Sequence, residues 1–181
     1  MILRRSLKTK TQRGFTLLET FVAITILAFA MVAPLSIASS TLASVRYARD
    51  QIIAFYLGSE AVEYARNIRD RNNQAGFNES TTWLTGFDLC LGEDGCLIDS
   101  INNQILPPNA CGQSDCYLNF QNGVYSYGNG QPTIFKRLVK MSVIGGSGGE
   151  EVALDVTVTW RTKGFPERKV VLRETLHNWQ I

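Results

Sequence analysis

Residues able to do or undergo chemistry are concentrated in three short stretches of this 181-residue chain. The first is Gly14-Phe15, with Glu19 four residues further on. A cut after Gly14 would give Phe15 a free α-amino group one helical turn before the Glu19 carboxylate, close enough for a neutralising pair. Glycine suits such a cut, because without a Cβ it lets a protease approach the backbone. The second stretch holds Cys90, Cys96, Cys111 and Cys116, and the third is the set of acids Asp88, Glu93, Asp94 and Asp99 around the first two cysteines. The spacing of those acids fits no calcium template, and the first cysteine pair is too far apart for a four-thiolate zinc site. The sole histidine, His177, has no nucleophile near it in sequence and reads as a strand-face residue. With no catalytic constellation and no glycine-rich phosphate cradle, the chain reads as a non-enzyme with no metal and no cofactor. The expected covalent events are done to it, at Gly14 and Phe15, by another enzyme.

Glu19 must be positioned by an unusual segment. From Thr20 to Val45 no side chain carries a charge, enough residues to cross a hydrocarbon core of about 30 Å as a helix. A carboxylate within such a span is costly, up to roughly 2.5–3.5 kcal/mol at a helix centre on insertion scales, and calls for a partner. Upstream lie Arg4, Arg5, Lys8, Lys10 and Arg13 with no acid among them. By the positive-inside rule this end stays in the cytoplasm and everything after the span goes out. An ordinary secretory signal has a shorter apolar core and usually no acid within it. The formal net charge is +2; without the five leader cations, 13 basic residues face 16 acidic ones, a balance of −3. The positive charge is therefore a topology signal, and general affinity for nucleic acid is not expected. Four cysteines, all beyond the span, suit an oxidising exterior.

Arg13-Gly14-Phe15-Thr16-Leu17-Leu18-Glu19, set between a basic leader and an uncharged run, resembles the N-terminal signal of type IV pilins and type II secretion pseudopilins. The resemblance implies cleavage after Gly14 by a membrane-embedded prepilin peptidase, which then methylates the amine of Phe15. It implies that Glu19 pairs with a subunit's N-terminal amine as subunits pack into a filament. The implied partners are the inner membrane, other pilin or pseudopilin subunits, the prepilin peptidase and methylase, and an assembly platform with its ATPase.

Further along, Pro34 removes a helix hydrogen bond and bends the rod, and Ser36, Ser39, Ser40, Thr41 and Ser44 follow it. A kink or weakened helix is expected there, with helix resuming by about Thr41 and ending near Arg71. On that outer half Val45, Ala48, Ile52, Phe55 and Val62 share one side, and Ile53, Leu57, Ala61, Tyr64 and Ile68 the other. Two opposed apolar stripes suggest one face for the chain's own sheet and one for neighbouring subunits. Gly58 would weaken this helix and add a hinge, and Arg69 and Arg71 suit its negative end. Residues 74–131 read as loop, with Trp83 and Phe87 as anchors. The four cysteines allow three pairings. The two short loops, Cys90–Cys96 and Cys111–Cys116, are favoured, with the crossed Cys90–Cys116 and Cys96–Cys111 as the alternative.

The last third reads as strands. Tyr117–Phe120 and Val124–Tyr127 flank an Asn-Gly hairpin signal. A strand follows over Thr133–Ile144, then a Gly145–Gly149 turn. Val152, Leu154, Val156, Val158 and Trp160 alternate as a half-buried strand, and Arg168–Trp179 returns after a turn at Lys163–Pro166. The expected fold is α+β, a long N-terminal helix packed on a C-terminal antiparallel sheet. The expected division is a leader (1–14), a transmembrane and filament-core helix (15–38), the outer helix (39–72), a disulfide-stapled variable region (73–132) and a β-meander (133–181). The function so read is a structural, prepilin-like subunit, first in the bacterial inner membrane with its C-terminal domain outside, then in an extracellular pilus or envelope pseudopilus. The short meander resembles that of minor pilins and small pseudopilins. The alternative is a membrane-anchored adhesion or DNA-binding module that does not polymerise.

Overall fold

The structure, a computed structural model, describes residues 14–75, 82–112, 116–144, 151–162 and 165–179, apart from the side chain of Ala33. The basic leader up to Arg13, the Gly145–Gly149 turn and Lys163-Gly164 lie outside the described residues. The fold is α+β: among the described residues one long helix, α1 (Leu17–Ala75), is followed by eight strands in antiparallel pairs. The chain divides into two compact units, Met1–Tyr47 and Ala48–Ile181.

Within the first unit the described residues form the start of α1. The helix assignment runs through Pro34 without a break. Hydroxyl groups here are satisfied by the helix itself: Thr20 donates to the Leu17 carbonyl, Thr25 to Val22, Ser39 to Ser36 and Ser40 to Ile37, each at 2.8–2.9 Å. Thr41 and Ser44 bond back four residues, to Ile37 and Ser40. Such back-bonding lets serine and threonine sit in an apolar environment without leaving a polar group unpaired.

Within the second unit, β6 (Phe135–Ile144), β7 (Glu151–Trp160) and β8 (Arg168–His177) form a meander in the order β6-β7-β8. Its register runs from Phe135 opposite Trp160 and from Trp160 opposite Arg168. The alternation in β7 puts Val152, Leu154, Val156, Val158 and Trp160 inward, where they share one core with Ala54, Leu57, Ala61, Ala65 and Ile68 of α1. Each large apolar side chain so buried contributes about 1.5–3 kcal/mol relative to exposure. Gly58 is a point of close approach: a Cβ there would lie 2.1 Å from Leu172 Cδ1.

Three expectations are corrected. The helix continues past Arg71 to Ala75, so its last turn holds no basic residue. Asn72 explains the extension, donating to the carbonyls of Trp83 at 3.1 Å and Thr85 at 2.8 Å and so tying the helix end to the next segment. Val62, expected to share one side with Val45, Ile52 and Phe55, is buried in the core, while those three are exposed. Residues 74–131 are not simply loop. β1 (Leu97–Asp99) pairs with β2 (Gln104–Leu106), and β3 (Asn119–Gln121) pairs with β4 (Val124–Ser126) and β5 (Gln131–Pro132). Strands of two or three residues are too short to show a period. The β3–β4 turn does follow its sequence signal: Asn122 and Gly123 both have positive φ, as a two-residue hairpin turn of this kind demands.

Candidate processing and assembly site

Gly14, Phe15 and Thr16 precede α1, and the helix start is fixed by Thr16. Its Oγ1 accepts from the Glu19 amide at 3.3 Å, and its carbonyl accepts from the Thr20 amide at 3.2 Å. Thr16 is thus the N-cap, and Glu19 sits three residues on, where a carboxylate also meets the positive end of the helix dipole. The Thr-x-x-Glu pattern of a capping box was present in the sequence as a further signal for this start. Among the described residues no ion pair reaches Glu19.

Among the described residues nothing accounts for glycine at position 14. A Cβ built there meets no atom within 4 Å, and its φ is not in the left-handed region. Phe15 is 80% exposed, and every large apolar side chain described from there to Val45 is likewise exposed. The helix is long and apolar enough to cross a membrane. A continuous apolar surface of this size calls for lipid or other apolar helices around it.

In the second unit the cysteines pair as Cys90–Cys96 and Cys111–Cys116. The first bridge lies on the outer edge of β6. The Cys96 amide and carbonyl exchange hydrogen bonds with Val139 at 2.8 and 2.9 Å, and the Met141 amide donates to the Cys90 carbonyl at 2.8 Å. That covers an edge strand that would otherwise be open to pairing. Trp83 and Phe87 are both buried in the core beside it.

The acidic stretch does not form a metal centre among the described residues. Asp88, Glu93 and Asp94 line an open depression of about 640 Å³. Asp99 is turned inward, accepting from the amide and side chain of Asn102 at 3.1 and 2.9 Å and from the Tyr127 amide at 3.0 Å. It anchors the β1–β2 turn. His177 lies on β8 with Nδ1 3.4 Å from Glu151 Oε1.

Sequence reasoning overlooked Arg137, whose side chain is fully buried. It donates from Nη1 to the Leu57 carbonyl at 2.8 Å and from Nη2 to the Ile98 carbonyl, with Glu60 Oε1 3.5 Å from Nη1. Its inward position follows from the β6 alternation, Phe135, Arg137, Val139 and Met141.

Residues 9–33 match the family model described as the prokaryotic N-terminal methylation motif. The chain therefore carries the type IV pilin and pseudopilin type of precursor signal. No curated protein and no solved structure matches it.

Proposed function

We propose that this chain is a structural subunit, cleaved after Gly14, N-methylated at Phe15 and assembled through its apolar helix into a type IV pilus or type II secretion pseudopilus, as a minor component. The observation that carries the reading is the carboxylate of Glu19. It stands at the head of an uncharged, exposed helix, four residues after Phe15. Two charges that are each costly in an apolar setting become tolerable as a pair. An amine created at Phe15 is the group able to form that pair, on Glu19 of an adjacent subunit. Among the described residues a Cβ at position 14 meets no atom within 4 Å, which leaves room for recognition of Gly14 by a separate enzyme. Before assembly the subunit sits in the inner membrane, N-terminus inside and the unit Ala48–Ile181 outside.

The test is the mass of the mature N-terminus in cells that carry the prepilin peptidase. The expected product begins with N-methylated Phe15. A protein that still begins at Met1, or that begins beyond Val45, removes the reading.

A further inference from the structure

The Gly14–Phe15 peptide bond stands just outside α1. Helix begins at Leu17, and Gly14, Phe15 and Thr16 are not helical. One residue makes that boundary. Thr16 Oγ1 accepts from the Glu19 amide at 3.3 Å, and the Thr16 carbonyl accepts the first helix bond, from the Thr20 amide, at 3.2 Å. Among the described residues neither the Gly14 nor the Phe15 carbonyl accepts a main-chain hydrogen bond. Gly14 and Phe15 are both exposed.

We propose that Thr16 is a positioning residue for the cut after Gly14: its cap ends the helix short of the scissile bond and keeps the Gly14 carbonyl out of the helix ladder. The inference rests on the cleavage reading above and adds what makes the bond accessible. Hydrolysis adds water across the Gly14 carbonyl carbon and the Phe15 nitrogen, leaving a carboxylate on Gly14 and an amine on Phe15. A helical carbonyl is tied to the amide four residues on, so a peptidase must break that bond before it can hold the chain extended. In apolar surroundings an amide without a partner is costly. Were Thr16 unable to accept, the Glu19 amide would be satisfied most simply by the Phe15 carbonyl, and the Leu18 amide by that of Gly14. The helix would then lengthen over the bond to be cut. The Thr16 hydroxyl supplies the Glu19 amide without that lengthening, since an N-cap side chain stands in for the missing helix carbonyl.

The test uses the full chain reconstituted into phospholipid vesicles with purified prepilin peptidase, following release of the leader at varied substrate. Thr16→Val keeps the shape of the side chain and removes the acceptor. Its KM is expected to rise about fivefold with kcat unchanged, because a smaller share of the substrate presents an open bond. Thr16→Ser and Thr16→Asn, which cap as well as threonine, should be cut like the unaltered chain. Adding Leu17→Pro to Thr16→Val should restore KM without any hydroxyl, because proline at the first helical position holds the preceding residue out of the helix. Equal KM for Thr16→Val and the unaltered chain overturns the positioning role and leaves the cut site standing. Slow cutting of the serine and asparagine variants, or a double variant that stays at the valine value, overturns the helix stop in favour of direct recognition of threonine. An unaltered chain that is not cut after Gly14 overturns the proposed function, and this inference with it.

Discussion

Arg137 on β6 donates to the main-chain oxygen of Leu57 in α1 at 2.8 Å, so a fully buried cation holds the helix to the sheet. The same guanidinium bonds the Ile98 carbonyl on β1 and faces Glu60, joining three elements of the unit. Replacing it with leucine leaves buried carbonyls without that donor and Glu60 without its cation. The expected loss is about 2–4 kcal/mol, read as a lower denaturation midpoint. Arg137→Lys should recover only part of this, because an ammonium cannot span two carbonyls in a planar fork. A midpoint unchanged in the leucine variant would contradict the role assigned here.

Gly58 sets how closely α1 approaches β8. Gly58→Ala gains about 1 kcal/mol of helix propensity but requires the half-buried Leu172 side chain to rotate away from a 2.1 Å contact. These oppose each other, and the alanine variant should fall within about 1 kcal/mol of the original. Gly58→Leu adds bulk that no rotation of Leu172 can admit, and should cost about 1–3 kcal/mol. Thermal unfolding of the two variants side by side gives the comparison; equal melting of both would show that the contact is slack.

The two disulfides should part at different rates under a mild reductant. Cys90 and Cys96 are both buried in the core, whereas Cys111 is exposed. Alkylation followed by peptide mass mapping should find Cys111 and Cys116 modified first. Changing both Cys90 and Cys96 to serine should cost about 2 kcal/mol and loosen the hydrogen bonds to Val139 and Met141, visible as faster amide exchange there. Modification of Cys90 ahead of Cys111 would contradict this order.

The Arg173 guanidinium forms two hydrogen bonds to Asp155, at 2.5 and 2.8 Å, and holds its carboxyl below the usual carboxylate range. A carboxyl with a depressed folded-state pKa contributes stability above its unfolded pKa and loses it as pH falls through the folded value. This contribution therefore disappears on acidification below about pH 4. In Arg173→Gln the Asp155 titration, followed by carboxyl NMR, should move upward; an unmoved titration would show that the pair has no hold in solution.

Glu19→Val should still lose its leader, since the cut falls four residues earlier, but should be poorly incorporated into filaments. Immunoblots of whole cells and of sheared filaments separate the two effects. Normal incorporation would remove the charge-pairing argument while leaving the cleavage site standing.

The strands of the meander and the Asn122-Gly123 turn were readable because each is long enough, or chemically specific enough, to leave a local signature. The inward stripe Leu57, Ala61 and Ile68 was readable for the same reason, as a helical period on a buried face. Val62 broke the pattern because the core reaches further round the helix than one stripe. The β1–β2 hairpin and Arg137 were not readable: three-residue strands show no period, and an arginine gives no sign in sequence that carbonyls from distant elements will surround it. Around Gly14 the reverse holds. The sequence speaks clearly there, and the described residues add the cap at Thr16 but no reason for the glycine.

The cap at Thr16 has a consequence for timing. Both hydrogen bonds described at the head of the helix fall on Thr16, downstream of Gly14, so a cut after Gly14 leaves this cap in the chain. On the proposed cut, trimming keeps both hydrogen bonds of the cap. Maturation can then wait until the subunit is already seated, acting as a licence for polymerisation rather than as a step in reaching the native shape.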